Sequence, residues 1–232
     1  MPNIIAIGIM SGSGGSSFSP ASISGLLLWL KADSLALSDG NAVTTWADQS
    51  GGGHNMTFNV NTTNSGGTAV YNTNVLNGKP VVRLAGGGNF TNSLGATISQ
   101  PITIFSVSTA KIQADQYLFD GINSTNRIVS YVASGVHLFA GFDIVGGAGS
   151  SSFDSYCFVA NGASGVLYKN GTSIASGDIG ANTITGFTLN NRNEKTGTAN
   201  NNEFAEFIVY QGALSDADRI LVQNYLSSKY GI

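Results

Sequence analysis

The sequence predicts an all-β fold: a sandwich of two antiparallel sheets, closed by one short C-terminal helix. Three observations carry that prediction. Short apolar, β-branched and aromatic runs recur along the chain, separated at close intervals by Gly, Asn, Asp and Ser. No helical period alternates with those runs, which argues against a parallel α/β sheet. The one amphipathic helical stretch comes last, directly after the final strand-like run.

Taken in order, Asn3–Met10 (NIIAIGIM) is an uncharged apolar run of strand length, and Ser11–Ser19 (SGSGGSSFS) has the composition of a flexible linker. The opening lacks the basic region of a secretory signal and the about 20 apolar residues of a membrane span. Strands are expected at Leu26–Leu30, Val43–Ala47, Pro80–Leu84, Ile102–Ser108, Gln116–Phe119 and Arg127–Val132. Further strands are expected at Val136–Phe142, Tyr156–Ala160, Val166–Lys169, Thr172–Ala175, Ile184–Leu189 and Phe204–Tyr210. Asn170-Gly171, between two of these, is the strongest hairpin signal, because a type I′ turn needs positive φ at both positions. Gly51–Thr68, Gly86–Ile98 and Asn190–Asn202 are rich in Asn, Thr and Gly and read as long loops. The helix is expected to start at Ser215 as N-cap, with Asp216 and Asp218 in the first turn, where the dipole favours acids. Leu214, Ala217, Leu221 and Tyr225, with Val222 and Leu226 beside them, make its apolar face, and Gly231 supplies the stop.

Four segments, in order, resemble concanavalin A-like (LamG-type) jelly-roll domains. Leu26–Ala47 followed by Asp48-Gln49-Ser50-Gly51 is similar to the opening "lWldA…v..W.DqSG.g" element. Asn77–Leu84 (NGKPVVRL) resembles "nGrpvlrf", and Val166–Ala175 (VLYKNGTSIA) resembles the "lyvNG..va" hairpin. The ending, NEFAEFIVYQGALSDADRILVQNYLSSKYGI, resembles the closing strand and helix. The resemblance spans roughly Leu26 to Ile232 and implies a jelly roll with its long loops gathered at the rim of one sheet, where function usually lives. Its motifs are scaffold residues shared by lectins, hydrolases and inert structural modules, so they imply a fold more than a function. Trp29 and Trp46 lie in these segments and are expected in the core rather than on a sugar-stacking surface.

Composition narrows the partners. Charged residues make up 10% of the chain, against a usual ~25%, and Gly, Ser, Thr and Asn take their place. A net charge of −3 with ten scattered basic residues argues against nucleic acid. Cys157 is the single cysteine, so an intrachain disulfide and a thiol metal cluster are both excluded, and its setting FDSYCFVA reads as a buried small hydrophobe.

Catalytic patterns are sparse. The resemblance includes laminarinase-type hydrolases, whose catalytic acids lie on one strand in an E-x-D-x-x-E or E-x-D-x-E pattern; retaining glycosidases need two carboxyls about 5–5.5 Å apart. This chain has three glutamates, Glu194, Glu203 and Glu206. Glu203 and Glu206 are three apart, so a regular strand sends them to opposite faces unless a bulge intervenes. No catalytic residue is assigned. His54 reads as a solvated loop residue, and His137 as a strand residue with a hydrogen-bonded ring. Asp120, Asn123, Asn126 and Arg127 form one loop cluster able to bind sugar hydroxyls, and Asn190, Asn191, Arg192 and Asn193 form another. Ordinary turn chemistry explains the same residues. No cofactor is expected; calcium, common in lectin relatives, would want such oxygen donors, but no metal ligand is assigned.

These readings lead to an expected division into residues 1–20, an apolar arm and linker, and residues 21–232, a LamG-like jelly roll. The expected role is a non-catalytic structural protein on the surface of a bacteriophage virion, a capsid decoration or a tail or fibre component. Ile4, Ile5, Ile7 and Ile9 would anchor it to other virion proteins by adding a strand to an exposed sheet edge, the plainer reading of the run being an extra strand on this same domain. A homo-oligomer touching host surface glycans, with no nucleic acid and no membrane, completes the expectation. A cell-surface or secreted carbohydrate-binding module or adhesin is the alternative, and a glycoside hydrolase the third reading.

Overall fold

The computed structural model describes residues 18–60, 67–111, 116–193 and 200–232. The expected anchor residues Ile4, Ile5, Ile7 and Ile9, and also Glu194, lie outside them. Among the described residues the strands are β1 (Leu26–Lys31), β2 (Thr45–Trp46), β3 (Met56–Asn59), β4 (Thr68–Leu76), β5 (Lys79–Ala85), β6 (Asn89–Ile98), β7 (Ile102–Ala110) and β8 (Gln116–Asp120). They continue as β9 (Val129–Val132), β10 (Val136–Phe139), β11 (Asp143–Val145), β12 (Ser150–Ala160), β13 (Gly165–Lys169), β14 (Thr172–Gly177), β15 (Ile184–Leu189) and β16 (Glu203–Gln211), before helix α1 (Asp216–Tyr230). The first sheet runs β14-β13-β12-β7-β16-β5-β4, with β1 also paired to β16. The second runs β11-β10-β9-β8-β15-β6-β3-β2. This is the expected jelly-roll sandwich.

Two apolar layers hold it together. Between the sheets, Phe119 meets Phe158, Phe187 and Phe207 edge-on at 5.1, 6.1 and 5.7 Å, and Trp46 packs against Phe90 at 5.7 Å. On the outer face of the first sheet, Trp29, Phe105, Ile208 and Tyr210 are covered by Val222, Leu226 and Tyr230 of α1. Both tryptophans are thus in the core. Cys157 belongs to the second layer, and burial pushes its thiol well above the ordinary value. Phe18 packs at the edge of this layer, 6.1 Å from Tyr225, and Tyr210 Oη donates to the Pro20 carbonyl at 2.9 Å. The domain's outer layer therefore includes the end of the expected linker.

The helix begins and ends where its caps place it. Ser215 Oγ accepts from Asp218 N at 3.1 Å, and Gly231 closes it at φ 68°. Its rotation differs from expectation. The buried stripe is Val222, Leu226 and Tyr230, whereas Leu221 is 45% exposed. Tyr230 lies inward with its hydroxyl on a buried carboxylate, described below, and Leu221 falls outside this stripe.

Two expected loops contain strands among their described residues. Gly51–Thr68 contains β3 and reaches β4, and Gly86–Ile98 contains β6. In β6 (NFTNSLGATI), Phe90 and Leu94 point into the core while Thr91 and Ser93 face outward. The solvent face of a low-charge strand has the composition of a loop, so period-2 alternation is diluted there. The third expected loop, Asn190–Asn202, carries no strand among its described residues.

Local chemistry fixes the connections. Asp48 ties β1 to the following loop: its carboxylate accepts from Trp29 N at 3.0 Å, Ser50 N at 2.8 Å and His54 N at 3.0 Å. Partial burial works against its charge, but the hydrogen bonds from Ser50, Trp29 and His54 outweigh this and hold the carboxyl below the usual value. The Asn170-Gly171 turn has φ of 48° and 79°, the positive pair that a type I′ hairpin requires.

Candidate functional site

The outer face of the second sheet carries the chemistry. Tyr117, Tyr131, His137 and Val145 sit opposite one another on β8, β9, β10 and β11. Tyr117 and Tyr131 stack at 5.7 Å, and Tyr131 and His137 at 4.2 Å. Asp143 braces this row, accepting from Tyr131 Oη at 2.9 Å and lying 2.6 Å from His137 Nδ1. His137 is therefore the hydrogen-bonded strand residue expected. The next row is Val129 opposite Phe139. Between the rows, Tyr117, Arg127, Val129, Tyr131, Phe139 and Arg192 line a hollow of about 220 Å³. The stacked rings use their faces on each other, so a ligand in this hollow meets ring edges, the Phe139 side chain and two guanidinium groups.

The two expected clusters come together beside this hollow. Arg127 clasps Asp120 with two hydrogen bonds, Nε to Oδ1 at 2.9 Å and Nη2 to Oδ2 at 2.7 Å. Asn193 N donates to the same carboxylate at 2.9 Å. Arg192 lies over the Tyr117 ring at 6.0 Å.

The remaining candidates hold loops in place. Asn123 Oδ1 accepts from Asn126 N at 2.7 Å and its Nδ2 donates to Thr185 Oγ1 at 2.9 Å. Asn126 Oδ1 accepts from Thr183 Oγ1 at 2.7 Å. Asn190 and Asn191 are fully buried and donate to the Gly88 and Gly87 carbonyls at 2.8 and 3.0 Å. Of these bonds only Asn126 N to Asn123 Oδ1 is local turn chemistry; the others tie together segments remote in sequence. Tyr117, Tyr131 and Phe139 are absent from the expected set. Their signal was present as one outward aromatic in each of three neighbouring strand runs, legible only once the strands are in register.

The glutamates behave differently from expectation. A bulge in β16 places Phe204 opposite Ser108 and Glu206 opposite Val107, leaving Ala205 as the extra residue. Glu203 and Glu206 therefore share the outer face of the first sheet instead of opposing faces. Glu203 pairs with Arg83. Glu206 is fully buried and accepts from Trp29 Nε1 at 2.6 Å, Tyr225 Oη at 3.0 Å, Tyr230 Oη at 2.8 Å and Lys229 Nζ at 2.8 Å. Lys229 also reaches Asp33 at 3.0 Å. Burial, and after it the charge of Glu206, pushes both phenols above their ordinary value. Among the described residues, no three His, Cys, Asp or Glu side chains stand together as metal ligands.

The fold is a jelly-roll sandwich of two antiparallel sheets with one short C-terminal helix. Solved structures agree in fold. The chain is similar to domain 4 of AbnA, a GH43 extracellular arabinanase from Geobacillus stearothermophilus, in complex with arabinotriose, with 15% identity, a TM-score of 0.59, and coverage of 83% of this chain and 95% of that one. It is also similar to the binding domain of Paraclostridial Mosquitocidal Protein 1, with 16% identity and a TM-score of 0.57, covering 87% of this chain and 52% of that one. A GH54 α-L-arabinofuranosidase soaked with a cyclic sulfate inhibitor matches at 14% identity and a TM-score of 0.59, covering 90% of this chain and 60% of that one. No family model matches the chain, and no curated protein matches it in sequence.

Proposed function

We propose that this chain is a non-catalytic carbohydrate-binding domain whose ligand sits in the hollow between Phe139, the Tyr117–Tyr131 pair, Arg127 and Arg192. That hollow is the observation that carries the reading. It offers apolar area, phenol groups and two guanidinium groups, one of them clasped by Asp120, on the outer face of the second sheet, the mix that sugar rings and hydroxyls need. The fold-level likeness to a domain in complex with arabinotriose adds support by analogy. The non-catalytic part is supported by Glu206, which is buried and saturated by four donors, and by Glu203, held by Arg83.

A glycan array followed by calorimetric titration tests this. Phe139→Ala and Arg192→Ala are each expected to weaken binding about tenfold or more while leaving the thermal transition close to the parent's. Unchanged affinity in both variants would remove the ligand from this face.

The finer part of the proposal is placement on a bacteriophage virion through residues 1–20, and it rests on the uncharged apolar run Asn3–Met10 and its Gly/Ser tether. Deleting residues 1–17 removes none of the described packing. The truncated protein is expected to fold and bind sugar normally but to be lost from purified particles. Truncated protein found on particles at the parent level would overturn the anchoring role.

A further inference from the structure

The outer side of the first sheet, away from the aromatic hollow, carries a second cavity. It measures about 300 Å³ and lies between α1 and the Asn170-Gly171 turn, room for about ten waters at ~30 Å³ each. Its chemistry is set by two side chains. Asn170 bonds both backbone groups of Ser155, its N donating to the Ser155 carbonyl at 2.7 Å and its Oδ1 accepting from Ser155 N at 2.8 Å. The Ser155 hydroxyl gains nothing from that arrangement. Ser155 is 5% exposed, and its Oγ has no hydrogen-bond partner. Across the cavity, Arg219 Nη1 takes Gln223 Oε1 at 2.7 Å, so the amide nitrogen of Gln223 is the group left for the cavity.

The rest of the lining fits the same chemistry. Asn224 adds an amide and Ile220 an apolar wall; Ile232 also lines the cavity, its backbone oxygen accepting from the Ser227 hydroxyl. Among the described residues, no charged side chain lines the cavity. The nearby ions are paired to one another, Lys169 with Asp154 at 2.9 Å and Arg219 with Asp216 at 3.0 Å.

We infer that this cavity is a binding site for a small neutral hydroxylated ligand, one sugar unit or a comparable polyol, with Ser155 Oγ and Gln223 Nε2 as its fixed partners. A neutral molecule suits a lining of hydroxyls and amides, and a ring with one CH face suits the Ile220 wall. The site is independent of the aromatic hollow. A domain with a sugar site on each side would join two glycan chains, or one chain and a free sugar, without dimerising.

The test is amide-resolved NMR of the full chain titrated separately with arabinose, glucose and glycerol. The expected result is saturable shifts at Ser155, Gly171, Gln223 and Asn224 with at least one probe. Ser155→Val and Asn224→Trp should each weaken that response at least tenfold; Asn224 is an exposed helix position, so the second variant keeps the test valid if the first fails to fold. Shifts at Tyr117, Tyr131 and Phe139 report the aromatic hollow separately, so the two sites can fail independently. Linear, non-saturating shifts around Ser155, or shifts untouched by Asn224→Trp, would overturn the inference and leave a cavity filled only by water.

Discussion

Replacing Glu206 with alanine is expected to destabilise the domain by about 3–5 kcal/mol, the usual cost of breaking a buried ion pair by removing one partner. The substitution strips Trp29 Nε1, Tyr225 Oη, Tyr230 Oη and Lys229 Nζ of a shared acceptor at once. Three of these donors sit on α1, so the helix loses most of its polar attachment to the sheet and keeps the Tyr230 Oη bond to the Ala205 carbonyl at 3.3 Å. Lys229 keeps Asp33 as a partner, which limits the loss. Glu206→Gln retains an acceptor oxygen but no charge, and a smaller loss is expected. Urea unfolding of both variants, followed by tryptophan fluorescence, measures the difference. A Glu206→Ala protein within about 0.5 kcal/mol of the parent would show that apolar packing alone holds the helix.

Phe119→Ala is the second large effect, with an expected loss of about 3–5 kcal/mol. Phe119 contributes one ring to a cluster drawn from both sheets, with Phe158 and Phe207 from the first sheet and Phe187 from the second. Its removal opens a cavity at the centre of the sandwich, where neither sheet can move in without disturbing the other. Phe142, which is 61% exposed, is the control: Phe142→Ala should stay within about 0.5 kcal/mol of the parent. Equal losses for the two would mean that the aromatic cluster is not the keystone of the core.

The contrast between these two phenylalanines also shows what the chain discloses on its own. Strands with apolar residues on both faces, such as β7 (ITIFSVSTA) and β16, announce themselves because both of their faces are buried. The type I′ turn at Asn170-Gly171 and the caps Ser215 and Gly231 are equally plain, since backbone geometry restricts which residues can stand there. β3 and β6 are harder. Each presents one face to solvent, and that face is built of Asn, Thr and Ser rather than charges, so it looks like loop.

The candidate site was half legible for a similar reason. Asp120, Arg127, Arg192 and Asn193 are polar residues near turns, which sequence alone marks as available. Their union depends on β8 and β15 lying side by side, with Thr188 opposite Asp120, and strand neighbours remote in sequence leave no local trace. Tyr117, Tyr131 and Phe139 have the opposite problem. An aromatic in a strand reads as core until register shows that it faces out. The bulge at Ala205 was invisible for a further reason, because a single extra residue reverses the facing of everything beyond it.

The central claim is that the outer face of the second sheet binds sugar without cutting it. The most direct measurement is the structure of the domain soaked with the tightest-binding oligosaccharide from the array. The account predicts an intact glycan in the hollow bounded by Tyr117, Tyr131, Phe139, Arg127 and Arg192. A glycan lodged elsewhere, or one found cleaved, would contradict it.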